Sequence, residues 1–220
     1  MSKGKLIVVE SGTDASGKAT QSQLLYAKLE ALNYKVKKIE FPNYKSKASY
    51  PVQMYLKGEF GNNPDDVNAF AASTFFAIDR FASFMQEWKD FYEDGGIIIS
   101  DRYTTSNMVH QGSKIDDKKE RIEYLEWLAD LEYNKIGLPK PDLVVFLNVD
   151  PKVAFNLMEK RSRQKDIHET SQNHLLSSYK TACEIALIQK WTWIDCIEFN
   201  RMRSIEDINE EIYGYVEKIL

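Results

Sequence analysis

The chain lacks most of the features that would take it out of the ordinary cytoplasmic classes. Two cysteines in 220 residues, Cys183 and Cys196, are too few for a disulfide framework, so a reducing compartment is expected. The apolar runs are all short, the first ending at Glu10, and none has the length of a transmembrane helix or a signal-peptide core. Charge of one sign is not in surplus. Against 33 Asp+Glu stand 29 Lys+Arg, a net of −4, which argues against a nucleic-acid coat protein or a polybasic membrane binder and leaves room for a local basic pocket. Nor is there a Ser/Gly/Pro-rich linker, a low-complexity tract or an internal repeat. The expectation is one cytoplasmic domain over residues 1–220, with neither membrane nor nucleic acid as a partner. What is present, 43% hydrophobic and 28% charged residues, is the make-up of a globule long enough to bury a core.

Short β-branched runs alternate with longer segments of helical period. Lys5–Glu10, Val36–Phe41, Ile97–Ser100, Leu143–Val149 and Trp193–Phe199 read as strands. Helices are expected over Gln21–Leu32, Pro64–Tyr92, Lys118–Tyr133, Lys152–Lys160, Glu169–Lys190 and Ile205–Leu220. Strands that are apolar throughout are buried on both faces, and helical crossovers make parallel pairing natural. The fold class is therefore α/β, a doubly wound five-stranded parallel sheet flanked by helices. Such sheets collect ligands at the carboxyl ends of their strands. Three chemically loaded segments follow strands directly: Ser11–Thr20, Phe41–Ser49 and Asp101–Gln111.

The first is Gly12-Thr13-Asp14-Ala15-Ser16-Gly17-Lys18-Ala19-Thr20, a Gly-x-x-x-x-Gly-Lys loop between a strand and a helix. Its glycines allow successive amides to face phosphate oxygens, the helix offers its positive end, and Lys18 adds a mobile charge toward the β- and γ-phosphates of ATP. Ala19 departs from the pattern, since the usual Ser/Thr after the lysine supplies an oxygen to Mg²⁺. Thr20 comes one residue late on the helix. Mg²⁺ that keeps several waters and one or two carboxylates tolerates such a gap.

A second substrate needs its own recognition. Phe76 and Arg80 lie four apart and share a helical face, an arrangement able to stack a base and fork onto a phosphate. Spacing alone favours a plain core aromatic over that arrangement. Asp101 and Arg102 directly follow a strand; the carboxylate can organise a metal's water shell and the guanidinium can reach phosphate, or the two can simply pair. Ser106, Asn107, His110 and Gln111 follow on a helix or loop. Cations crowd residues 159–169, either as a solvated face or as a lid that closes over an anion.

Taken together these residues resemble the thymidylate kinases, within the P-loop nucleoside-monophosphate kinases. The resemblance rests on Glu10 to Lys18, Phe41-Pro42-Asn43-Tyr44, Phe76 to Arg80, Asp101-Arg102-Tyr103 through Gln111-Gly112, the stretch Asp166-Ile167-His168-Glu169 and the tail Arg203 to Ile208. It implies phosphoryl transfer from ATP to dTMP with Mg²⁺, in a homodimer to which Phe70–Phe84 could supply a face. It implies that Asp14 meets the sugar 3′-hydroxyl and helps place the metal, that Phe76 stacks on thymine, and that Arg80 and Arg102 bind the acceptor phosphate. Asn107 and Gln111 would lie around the base, Pro42 and Tyr44 on the opposite wall, and His110 beside the sugar. Arg161 and Arg163 match the lid arginines of members that lack a P-loop arginine, Ala15 standing at that position here. Asp166 and Glu169 match an acidic pair that, with Asp14 and Asp101, would hold the metal partly through water. Departures at Ala19, Asn43, Ile167 and Asn200-Arg201-Met202 keep a shifted substrate range or a nucleotide-binding pseudoenzyme as alternatives. A GTPase-like switch is disfavoured, because Asn134-Lys135-Ile136 is followed by Gly137 and not by the guanine-reading aspartate.

Overall fold

β-branched runs with no polar face build the centre of the molecule. The computed structural model describes residues 3–13, 15–154, 172–199 and 201–220. Strands β1 (Lys5–Ser11), β2 (Val36–Glu40), β3 (Ile97–Asp101), β4 (Leu143–Asn148) and β5 (Thr192–Asp195) pair in parallel in the order β2-β3-β1-β4-β5. The register sets Val9 beside Asp101, Glu40 beside Asp101 and Ser11 beside Leu147, so the carboxyl ends finish at one level. Side chains alternate across the sheet. Ile7 and Val9 join Leu25, Leu29, Ile208 and Ile212 on one face, whereas Leu6 and Val8 join Phe84, Trp88 and Tyr92 on the other.

The helices that cover these faces are α1 (Lys18–Ala31), α2 (Tyr50–Leu56), α3 (Ala69–Ser83), α4 (Lys89–Glu93), α5 (Thr104–His110), α6 (Lys118–Ala129), α7 (Gln172–Ile188) and α8 (Ile205–Val216). The first face is closed by α1 and α8, and the second by α4 and the wider π-turn Phe84–Trp88 that joins α3 to it. A second π-turn, Asp130–Lys135, continues α6.

Four expectations change in detail. The fifth strand is shorter: the Cys196 N–H makes a last bond to β4, on the Asn148 carbonyl, and the chain then turns into an antiparallel pair, β6 (Ile197–Glu198) and β7 (Arg201–Met202). The long helix from Pro64 is interrupted, since Val67 and Asn68 are extended and the Asn68 side chain restarts the helix by accepting the Ala71 N–H. The helix from Lys118 stays α-helical only to Ala129 before it widens. Finally, α1 begins at Lys18 and not at Gln21. The expected helix Lys152–Lys160 and the lid at 159–169 lie almost wholly outside the described residues.

Candidate active site

Strand β1 delivers the chain into the phosphate loop at the centre of the carboxyl edge. Gly17 and Ala15 both take left-handed backbone, φ 92 and φ 60, which turns the loop back over the start of α1. Gly12 has no room for a side chain: a Cβ there would lie 2.8 Å from the Ala182 methyl and 3.0 Å from the Tyr179 Cα of α7. The Lys18 ammonium is buried and donates to Ser11 Oγ at 2.6 Å and to the Thr13 carbonyl at 3.0 Å, with Ser16 Oγ at 3.4 Å. Thr13 Oγ1 is buried with no hydrogen-bond partner among the described residues. Ala19 and Thr20 both face outward on the first turn of α1. Asp14 lies outside the described residues, as do Arg161, Arg163, Asp166 and Glu169.

Beside the loop, toward β2, the same edge holds a cavity of about 230 Å³. Pro42, Tyr44, Phe76, Arg80, Arg102, Asn107, His110 and Gln111 all line it, together with Asp101, Glu40, Leu56 and Ser106. Five elements thus bring the expected acceptor residues around one space. Phe76 reaches it from α3, its half-buried ring braced edge-on by Tyr55 at 6.2 Å. Pro42 and Tyr44 enter from the β2 exit, where the Phe41–Pro42 peptide is cis and the Asn43 N–H donates to Asp79 Oδ2 at 2.8 Å. Burial raises the Asp79 carboxyl above its ordinary range. Arg102, the residue after β3, takes left-handed backbone, φ 66, an uncommon state for a residue with a side chain. Its Nη1 lies 3.0 Å from His110 Nε2. Asn107 donates from Nδ2 to the Ser73 carbonyl at 3.2 Å. Gln111 is 1% exposed, and its Oε1 has no partner among the described residues.

Two buried carboxylates hold this arrangement, and neither was anticipated. Glu132 takes Arg80 in a two-point grip, Nε to Oε2 at 2.7 Å and Nη2 to Oε1 at 2.5 Å, with both side chains 1% exposed or less. Glu10 accepts from the Ser11 N–H, the Thr105 hydroxyl and the Ser106 hydroxyl, tying the phosphate loop to α5. A signal for Glu132 exists in the sequence: it falls on the stripe of Leu125 and Leu128, where a charge is out of place. Ser11, the nearest partner of Lys18, has none beyond its adjacency to the loop.

A strand, glycine loop and helix ending on a buried lysine, beside a cavity equipped with an aromatic ring and arginines, define a nucleotide kinase of the P-loop class. The chain belongs to the thymidylate kinase family: the family model described as thymidylate kinase matches residues 11–212. The thymidylate kinase of Plasmodium falciparum is 32% identical over 99% of this chain and 91% of its own length. Those of Schizosaccharomyces pombe and Homo sapiens are each 27% identical, over 99% and 96% of this chain and 93% and 88% of theirs. A solved thymidylate kinase from Candida albicans shares the fold with a TM-score of 0.73 at 23% identity, over 98% of this chain and 92% of that one. Membership makes the chain an ATP-dependent nucleoside-monophosphate kinase. No described helix is long and apolar enough to cross a membrane.

Proposed function

We propose that the chain transfers the γ-phosphoryl group of ATP to the 5′-phosphate of dTMP, giving dTDP and ADP. The observation that carries this reading is that Phe76 lines one cavity together with an orphaned acceptor, Gln111 Oε1, and a guanidinium donor, Arg80. A thymine ring carries the complementary set, an imide N–H beside carbonyl oxygens. Cytosine offers an amino donor where thymine has O4.

The grip of Glu132 redirects the expected role of Arg80. Its charge is already compensated, so it suits a neutral carbonyl better than a dianionic phosphate. The acceptor phosphate falls to Arg102, which leans over the cavity from the end of β3. Lys18 and the loop amides hold the donor phosphates. An acceptor-phosphate oxygen, already ionised, forms the new bond to the γ-phosphorus as the bond to the β,γ-bridging oxygen breaks, and the electron pair leaves on ADP. No general base is needed. His110 serves as the wall that orients Arg102.

The donor set at this edge fits Mg²⁺ bound mostly by water and phosphate. Ala19 offers no oxygen, and the described residues hold no group of three or more His, Cys, Asp or Glu able to grip a metal. Asp101, half-buried at the carboxyl end of β3, would hold the ion through water, with Asp14, Asp166 and Glu169 completing the set. The ion would neutralise charge on the donor phosphates. Arg161 and Arg163 would add positive charge to the transferring group. Two chains would pair through α3, whose exposed face carries Phe70, Ile78 and Phe81 in helical spacing with Met85 beyond. Two free thiols, Cys183 and Cys196, accord with a cytoplasmic setting.

The test is ADP production from Mg-ATP with dTMP, dUMP, UMP, dCMP, AMP or GMP, and with water alone. A preference for dTMP is expected. Turnover with another monophosphate overturns the thymine reading, and binding of ATP without turnover on any acceptor overturns the kinase reading.

A further inference from the structure

We propose that Glu132 is a specificity-determining positioning residue: it fixes Arg80 as a neutralised, single-orientation hydrogen-bond donor and so sets which bases the acceptor cavity admits. The proposal rests on the reading of Arg80 as a base-edge donor and goes beyond it, to the residue that makes that donor selective.

The geometry is that of a built device. Fork meets fork, with Arg80 Nε and Nη2 on the two oxygens of Glu132, so the guanidinium plane cannot rotate. Thr104, the first residue of α5, donates its hydroxyl to Glu132 Oε2 at 2.7 Å, and the Tyr103 carbonyl receives Arg80 Nη1 at 3.4 Å. Both partners of the ion pair are therefore anchored to the β3–α5 junction, which also carries Arg102 and Asn107. Glu132 is the buried residue of the π-turn Asp130–Lys135; wide turns of this kind recur at functional sites. The Leu138 N–H closes the turn on the Glu132 carbonyl at 2.9 Å.

Charge gives the device its meaning. A buried ion pair contributes little net stability compared with well-packed apolar residues, so stability alone does not account for it. Burial by itself would press the Arg80 guanidinium toward losing its proton; the neighbouring Glu132 charge and its hydrogen bonds outweigh that, and the group stays protonated. A protonated guanidinium only donates. It meets a carbonyl oxygen well and an exocyclic amino group badly, and a site that leaves its buried polar groups unpaired rejects the wrong ligand strongly. Without Glu132 the same arginine would be a swivelling, uncompensated cation that accepts any anion or any electron-rich edge.

The experiment measures dissociation constants for dTMP and dCMP, with KM for Mg-ATP, in the full chain carrying Glu132→Gln, Glu132→Asp, Arg80→Gln or Thr104→Val. Glu132→Gln keeps the shape and removes the charge. It is expected to weaken dTMP binding by roughly 10–100-fold, to narrow the dTMP-over-dCMP ratio by about tenfold or more, and to leave KM for Mg-ATP within about twofold. Glu132→Asp, which keeps the carboxylate, should recover part of the ratio. Should Glu132→Gln not fold, Thr104→Val carries the test, with a narrowing of about threefold expected from the loss of one bond to the carboxylate. A folded Glu132→Gln protein with an unchanged ratio overturns the proposal, as does an unchanged ratio in Thr104→Val where that variant carries the test. If Arg80→Gln collapses the ratio while Glu132→Gln does not, only the role of Glu132 falls. If Arg80→Gln leaves the ratio intact, the base-edge reading falls with it.

Discussion

Replacing Gly12 by alanine tests whether the phosphate loop is fixed by its contact with α7. The added methyl would lie 2.8 Å from the Ala182 Cβ, 3.0 Å from the Tyr179 Cα and 3.1 Å from the Tyr179 Cδ2. Carbon atoms settle at about 3.5–4.0 Å, so the loop and the helix must separate by somewhat under ~1 Å. Neither near neighbour can rotate away, one being backbone and the other the Ala182 methyl, which is Cβ itself. Overpacking of this kind costs about 1–3 kcal/mol. The displacement also carries the loop amides off the donor phosphates, and a shift on the order of 1 Å costs roughly 10²-fold in rate. Urea unfolding with and without ADP, alongside kcat and KM for Mg-ATP, reads both consequences. Ala182→Gly in the same chain removes the closest contact and should return part of the ATP-side loss, although glycine inside a helix costs about 1 kcal/mol itself. Unchanged stability and unchanged ATP kinetics in Gly12→Ala would refute the reasoning, and so would a double variant no better on the ATP side than the single one.

Two further outcomes follow from groups outside the cavity walls. Burial lowers Lys114 from its ordinary 10.5 to about 8 even though its ammonium donates to Tyr55 Oη and the Val67 carbonyl. Between pH 8 and 10.5 the unfolded chain therefore holds a proton that the folded one lacks, and stability gains with rising pH relative to Lys114→Met. Urea titrations from pH 7 to 10.5 should show the wild-type-minus-variant difference flat below about 8 and rising above it; a difference that falls over that window contradicts the burial argument. On α3, Ile78 is 52% exposed within the apolar face, and Ile78→Glu should shift sedimentation from twice the 25.5 kDa chain mass to once that mass. A dimer that survives the charge places the interface elsewhere.

The central strands β1, β3 and β4 were legible because each holds a continuous apolar run rich in β-branched residues, and the phosphate loop because its glycines and Lys18 follow β1 directly. The cavity residues were legible through motif resemblance, and all eight do face one space. Other features required the third dimension. The run Trp193–Phe199 stays apolar past the point where β5 ends, since Ile197 packs beneath the sheet without joining it. The helices α2 and α5 have seven residues each, too few for a period to register. The partner of Arg80 is 52 positions away, and one helical stripe with a misplaced charge does not say what that charge meets. Hence the aromatic–arginine spacing brings Phe76 and Arg80 to the wall of one cavity, while the carboxylate that grips Arg80 lies beyond what that spacing can show.

The left-handed turn at Arg102 bears on how such an enzyme responds to selection. A residue with a Cβ pays about 1–2 kcal/mol to hold that conformation, and glycine would hold it almost freely. A library screened for heat resistance alone should accumulate Arg102→Gly and lose the cation that faces the acceptor cavity. Growth that depends on nucleotide supply should hold arginine there against the thermal gain. Position 102 is thus where folding and livelihood pull in opposite directions, and its occupant reports which of the two a lineage has been under.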